Sequence, residues 1–243
     1  MDLREPLDLQ RHVFTETHRL SRPFRTAAYT RTEIQLLRVD LSLGGLTGRG
    51  ESFVHERSGT TLEAELGRAR GFPIRHLLGV QRAAGSPGLD ALDCALWDLR
   101  CKHAGQRAWE TLGLEPAPVE TMFTIGVDEP SAMQASAAAH RAFSVLKVKV
   151  GPDHAIDVVD AVLHGHPEAR LVLDGNESWS VADYERLVPQ LMEFRVALIE
   201  QPLRPEDEHA LAGERPIPIC ADESLRDRLP PGIEQRYDCV NVK

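Results

Sequence analysis

The chain has 243 residues, of which 42% are hydrophobic and 27% charged. That length allows a sizeable core in one large domain or two modest ones, and the composition is that of an ordinary globular protein. A formal net charge of −9 argues against nucleic acid or an anionic membrane as partner. The opening residues, Met1-Asp2-Leu3-Arg4-Glu5-Pro6, carry no apolar stretch of the signal-peptide kind, and no run of apolar residues is long enough to span a membrane. A cytoplasmic location is expected. Cys94, Cys101, Cys220 and Cys239 form no C-x-x-C pair and are expected to be reduced, mostly buried thiols.

Residues 1–20 are polar and weakly periodic and are expected to be partly disordered. The alternation of Glu33-Ile34-Gln35-Leu36-Leu37-Arg38-Val39-Asp40-Leu41, followed by Gly44-Gly45, predicts a strand, a turn and a second strand ending near Glu51. Helical spacing follows over 61–83, broken at Pro73. From Gly88 to Ala104, Leu89, Leu92, Ala95, Leu96 and Leu99 make an apolar stripe that predicts a helix, and Gly105 is its natural stop. Pro116 and Pro118 mark a linker. Residues 1–117 are therefore expected to form an α+β capping domain.

From Val119 the rhythm alternates strand and helix, which implies a parallel sheet and assigns 118–243 to a (β/α) TIM-type barrel domain. The expected strands are Thr121–Val127, the segment ending at Lys149, and those ending at Asn176, Glu200, Asp222 and Lys243. Helices are expected over 130–143, 153–164 and 181–194, with a short one near 205–213. The absence of a Gly-rich phosphate loop favours a barrel over a dinucleotide-binding fold.

The chemistry collects where the strands end. Lys147 and Lys149 are two apart on one strand and share a face, which in a barrel is the interior. Two buried ammonium groups repel, so at least one is expected to have a lowered pKa and to serve as a base near neutral pH. Asp174, Glu200 and Asp222 end three successive strands. Helix capping explains Asn176 and Ser224 well but Glu200 poorly, and three hard oxygen ligands at one barrel mouth suit Mg²⁺. Lys243, ending the sixth strand, is expected across the mouth from Lys149.

Together Lys147-Val148-Lys149, Asp174-Gly175-Asn176, Glu200-Gln201-Pro202, Ala221-Asp222-Glu223-Ser224 and Val240-Asn241-Val242-Lys243 resemble the motifs of the enolase superfamily, muconate-lactonizing subgroup. The similarity includes the helix Ala91–Leu99 and runs from about residue 21 to 243. Asn176-Glu177-Ser178-Trp179 and the run Pro218–Ser224 are most similar to the dipeptide epimerases. The resemblance implies a capping domain followed by a barrel with two further strand units, so the barrel is expected to be truncated after strand six. It also implies one Mg²⁺ per active site, held by Asp174, Glu200 and Asp222, which stabilises an enediolate. Lys149 and Lys243 would exchange the α-proton on opposite faces of the substrate, with Lys147 lowering the pKa of Lys149. Asn176 and Glu223 would hold the ligands in place. Arg25, Tyr29 and Thr124 would contact a small-molecule dipeptide, expected to be L-Ala-D/L-Glu, in a chain that forms a homo-oligomer. Within the same resemblance, a cycloisomerase, an o-succinylbenzoate synthase or a catalytically inactive truncated barrel is the alternative.

Overall fold

A computed structural model describes residues 8–25, 30–54, 59–74, 86–225 and 230–242. The chain divides into two compact units, residues 1–21 with 32–118, and residues 22–31 with 119–243. The segment 22–31 thus groups with the second unit, where the linear boundary at 117 would have left it in the first.

Most of a three-stranded sheet belongs to the first unit, in the order β1 (Gln10–Arg25), β2 (Thr30–Leu43), β3 (Leu46–Phe53). Contrary to the expected disorder, residues 10–20 lie within β1. Arg11 explains part of this, donating to the carbonyls of Ala69, Arg70 and Phe72, and Val13 is buried. Strands β2 and β3 pair antiparallel as expected, from Leu36↔Phe53 to Leu43↔Leu46. Gly44 and Gly45 close the hairpin with φ of 57° and 78°, backbone that L side chains rarely adopt.

Helix α1 (Leu62–Gly71) starts at a Thr61 cap. The predicted stripe forms α2 (Pro87–Ala104), ended by Gly105 at φ 64°, and a short α3 (Ala108–Thr111) follows. Ala91, Leu92, Ala95, Leu96 and Leu99 are buried, beside Leu37, Val39 and Leu41 of β2 in the same core. The helix lies directly on β3, because a Cβ on Gly48 would stand 2.2 Å from the Ala95 carbonyl oxygen and one on Gly50 2.0 Å from that of Ala91.

The second unit is a six-stranded parallel sheet, β4 (Phe123–Ile125), β5 (Val145–Lys149), β6 (Arg170–Asp174), β7 (Val196–Glu200), β8 (Ile219–Ala221) and β9 (Cys239–Val240), in sequential order. Helices α4 (Pro130–Ala139), α5 (Ala155–Gly165) and α6 (Val181–Leu191) alternate with the first strands. This is the expected architecture of capping sheet and (β/α) units. The α5 stripe Ala155, Val158, Val159 and Val162 is buried at helical spacing, and α6 opens with a Ser180–Asp183 capping box. Between β7 and β8 the predicted helix is only a 3-10 turn, Glu208–Leu211. None of the four cysteines is in a disulfide, but only Cys101 and Cys220 are buried; Cys94 and Cys239 are exposed, which corrects half of that expectation. Among the described residues no helix is long and apolar enough to cross a membrane.

Candidate active site

Parallel register aligns Lys149 with Asp174, and Asp174 with Glu200, at the C-terminal ends of three neighbouring strands. Residues level with one another in a sheet share a face, so these side chains meet. Lys149 Nζ lies 2.6 Å from Asp174 Oδ2 and 2.8 Å from Asn176 Oδ1. Lys147 Nζ, one pleat lower on the same face, lies 2.8 Å from Asp174 Oδ2 and 2.7 Å from Glu200 Oε2. Thr124 of β4 is level with Lys147. Asp222 follows β8 and is buried.

Around this cluster the loops are held by side-chain bonds. Asn176 donates its backbone N–H to Asp174 Oδ1 at 3.1 Å and its amide Nδ2 to Glu223 Oε1 at 3.2 Å. Glu223 Oε2 is buried with no hydrogen-bond partner. Among the described residues, the non-glycine positions with left-handed φ are Asn176, Glu177 and Gln201, at 44°, 63° and 36°. All three follow β6 or β7 beside the cluster, where strained backbone is most often found in functional loops.

Burial disfavours the charged form of Lys147, but Asp174 and Glu200 outweigh it and its pKa moves up, which keeps Lys147 a cation beside Lys149. The lysine pair alone suggested repulsion; the structure surrounds Lys147 with carboxylates. Glu200 moves up too, through burial and the like charges of Asp174 and Asp222, although Lys147 opposes them. Glu223 rises for the same reasons, burial first and then the charge of Asp222.

A divalent cation was expected on Asp174, Glu200 and Asp222. Among the described residues no three His, Cys, Asp or Glu side chains are drawn together as a ready metal cage. The two ammonium groups stand on the carboxylates instead. The donor set nevertheless fits a hard cation in kind: three carboxylates end or directly follow neighbouring strands, and the charges of Asp174 and Asp222 add to burial in raising Glu200.

Arg25 forms an ion pair with Asp128 at 3.2 Å and lines a cavity of about 680 Å³ with Asp128, Lys149, Val150, Asp153 and His154. Tyr29 and Lys243, both assigned roles from the sequence, lie outside the described residues. Two groups carried no role in the sequence reading. Asn241 donates to Glu200 Oε1 at 3.1 Å, and its position two residues before Lys243 was the available signal for a shared face. Gln201, buried directly after Glu200, gave no such signal.

Residues 131–230 match the Enolase C-terminal domain-like family. The L-Ala-D/L-Glu epimerase of Escherichia coli K12 is 32% identical over 243 residues, 95% of this chain and 75% of that protein. The chain belongs to the enolase superfamily. Among solved structures, an enolase family member from Agrobacterium tumefaciens with homology to dipeptide epimerases, bound to sodium and L-Ala-L-Glu, superposes with a TM-score of 0.86. It is 32% identical and the match covers 96% of this chain and 74% of that one. The dipeptide epimerase of Enterococcus faecalis V583, complexed with Mg and L-Leu-L-Tyr, gives 0.85 at 25% identity, covering 96% and 73%. This enolase-superfamily chain thus spans about three quarters of the length of each of these relatives.

Proposed function

We propose that the protein is a Mg²⁺-dependent epimerase of dipeptides, with L-Ala-D/L-Glu as the expected substrate. The observation that carries this reading is the paired lysines of β5, held in hydrogen-bond contact with the carboxylates ending β6 and β7. The E. coli and A. tumefaciens relatives support the dipeptide class, and the Enterococcus faecalis enzyme supports the metal.

Asp174, Glu200 and Asp222 would hold Mg²⁺, which supplies the positive charge that a carboxylate substrate needs while its α-carbon is deprotonated. Lys149 removes the α-proton. Asn176 Oδ1 orients the Lys149 amine, and Glu223 fixes the Asn176 amide from behind. Lys147 keeps a cation beside Asp174 and Glu200. Lys243 returns a proton on the opposite face and so inverts the centre. Arg25 and Thr124 border the space for the dipeptide.

Conversion of L-Ala-L-Glu to L-Ala-D-Glu, followed by chiral chromatography, tests the reading. Lys149→Ala and Lys243→Ala are each expected to lose turnover by about a thousandfold or more while remaining folded. Epimerisation at wild-type rate in either variant contradicts the two-lysine assignment.

A further inference from the structure

Gln201 follows Glu200 directly, and none of its surface is exposed. A buried amide is costly unless its groups are paired, and here both ends are. Oε1 accepts the backbone N–H groups of Asp222 at 2.9 Å and Ser224 at 3.2 Å. Two N–H groups meeting one atom require that atom to be the oxygen. Nε2 has three acceptors within reach: the Leu203 carbonyl at 2.9 Å, Ser224 Oγ at 2.8 Å and Tyr237 Oη at 3.0 Å. The backbone is engaged as well. Gln201 N–H donates to the Cys220 carbonyl, and its own carbonyl accepts from Glu177 N–H, each at 2.9 Å.

One residue therefore ties the end of β7, where Glu200 sits, to the loops after β6 and β8, which carry Asn176 and Asp222. Behind it, buried Glu208 accepts from Ser224 Oγ at 2.8 Å and Tyr237 Oη at 3.0 Å and pairs with Arg236 at 2.7 Å, so the anchor is itself anchored. The left-handed φ of 36° turns the Gln201 side chain into this network while Glu200 faces the lysines.

We propose that Gln201 is a positioning residue that fixes Asp222 relative to Glu200 through Oε1, and thereby sets the protein's affinity for a divalent cation. The inference rests on the metal reading given above. It assigns Gln201 no contact with metal or substrate, only the placement of the backbone from which Asp222 projects.

The test is isothermal titration of MgCl₂ into the whole chain, with thermal unfolding of the same samples. Gln201→Met keeps the length of the side chain and loses both hydrogen-bonding ends. It is expected to bind Mg²⁺ about tenfold or more weakly than wild type, the range for a lost outer partner of a metal ligand. Leu191→Ala, a core truncation at the far end of α6, is the control for general loosening. It should lower the unfolding temperature and leave Mg²⁺ affinity within about threefold. Wild-type affinity in Gln201→Met, or equal weakening in Leu191→Ala, overturns the proposal. A folded wild type that binds no Mg²⁺ defeats the metal reading itself, a result distinct from any ordering among the variants.

Discussion

Glu65 shows how far a single carboxylate determines local structure. It is fully buried in the first unit and accepts from Gly88 N–H and Ser86 Oγ at 2.9 Å each, and from Thr60 Oγ1 at 2.9 Å. Burial pushes its pKa up, but these hydrogen bonds and Arg68 overcome that, and the net movement is below the ordinary 4.5. A depressed folded-state pKa contributes stability that is present above about pH 4.5 and is lost as pH falls through the folded value. Glu65→Gln is therefore expected to cost about 2 kcal/mol at pH 7, with its stability curve meeting that of wild type in acid. Urea titrations at pH 7 and pH 3 check this; a constant difference at both contradicts it. At the lysines, the sequence showed which residues share a face but not the carboxylate contacts that hold Lys147 charged. Period-two spacing placed Lys147 and Lys149 on one face. The upward shift of Lys147 depends on Asp174 and Glu200, 27 and 53 positions away, whose distances to it only folding sets.

Among the elements, α2 was legible because its apolar stripe, its stop at Gly105 and its length all agree. Strand β1 was not, since its residues alternate poorly and its place depends on partners far along the chain, such as the α1 carbonyls that receive Arg11. Strand ends were predictable where charged residues marked them, as at Lys149, Asp174 and Glu200. Gln201 was illegible for a related reason: nothing in Glu-Gln-Pro announces that the middle residue turns left-handed and feeds a buried network. The packing of α2 on β3 gives a sharp expectation. Gly50→Ala would place a Cβ 2.0 Å from the Ala91 carbonyl oxygen, backbone that cannot rotate away. A loss of about 3 kcal/mol is expected. Unfolding within about 0.5 kcal/mol of wild type in denaturant would show that the helix is not held this close.

For the whole molecule, the match to relatives over 95% of this chain joins the capping sheet and the parallel (β/α) units in one family architecture. If the carboxylates hold Mg²⁺, the cation stabilises the folded state by mass action, by about 2.7 kcal/mol at a hundred times its dissociation constant. Thermal unfolding should rise with MgCl₂ and return to baseline with EDTA, and Asp174→Asn should remove the rise; an equal rise in that variant contradicts the ligand assignment. The proposed activity requires enolisation of a dipeptide, which deuterium uptake reports. The protein is incubated in D₂O with Mg²⁺ and L-Ala-L-Glu or L-Ala-D-Glu, and mass spectrometry follows the C-terminal residue. A gain of one deuterium at that residue is expected, abolished by EDTA for both epimers and by Lys149→Ala for the epimer whose α-proton faces Lys149. A folded, Mg²⁺-binding protein that puts no deuterium into either dipeptide would contradict the proposed activity.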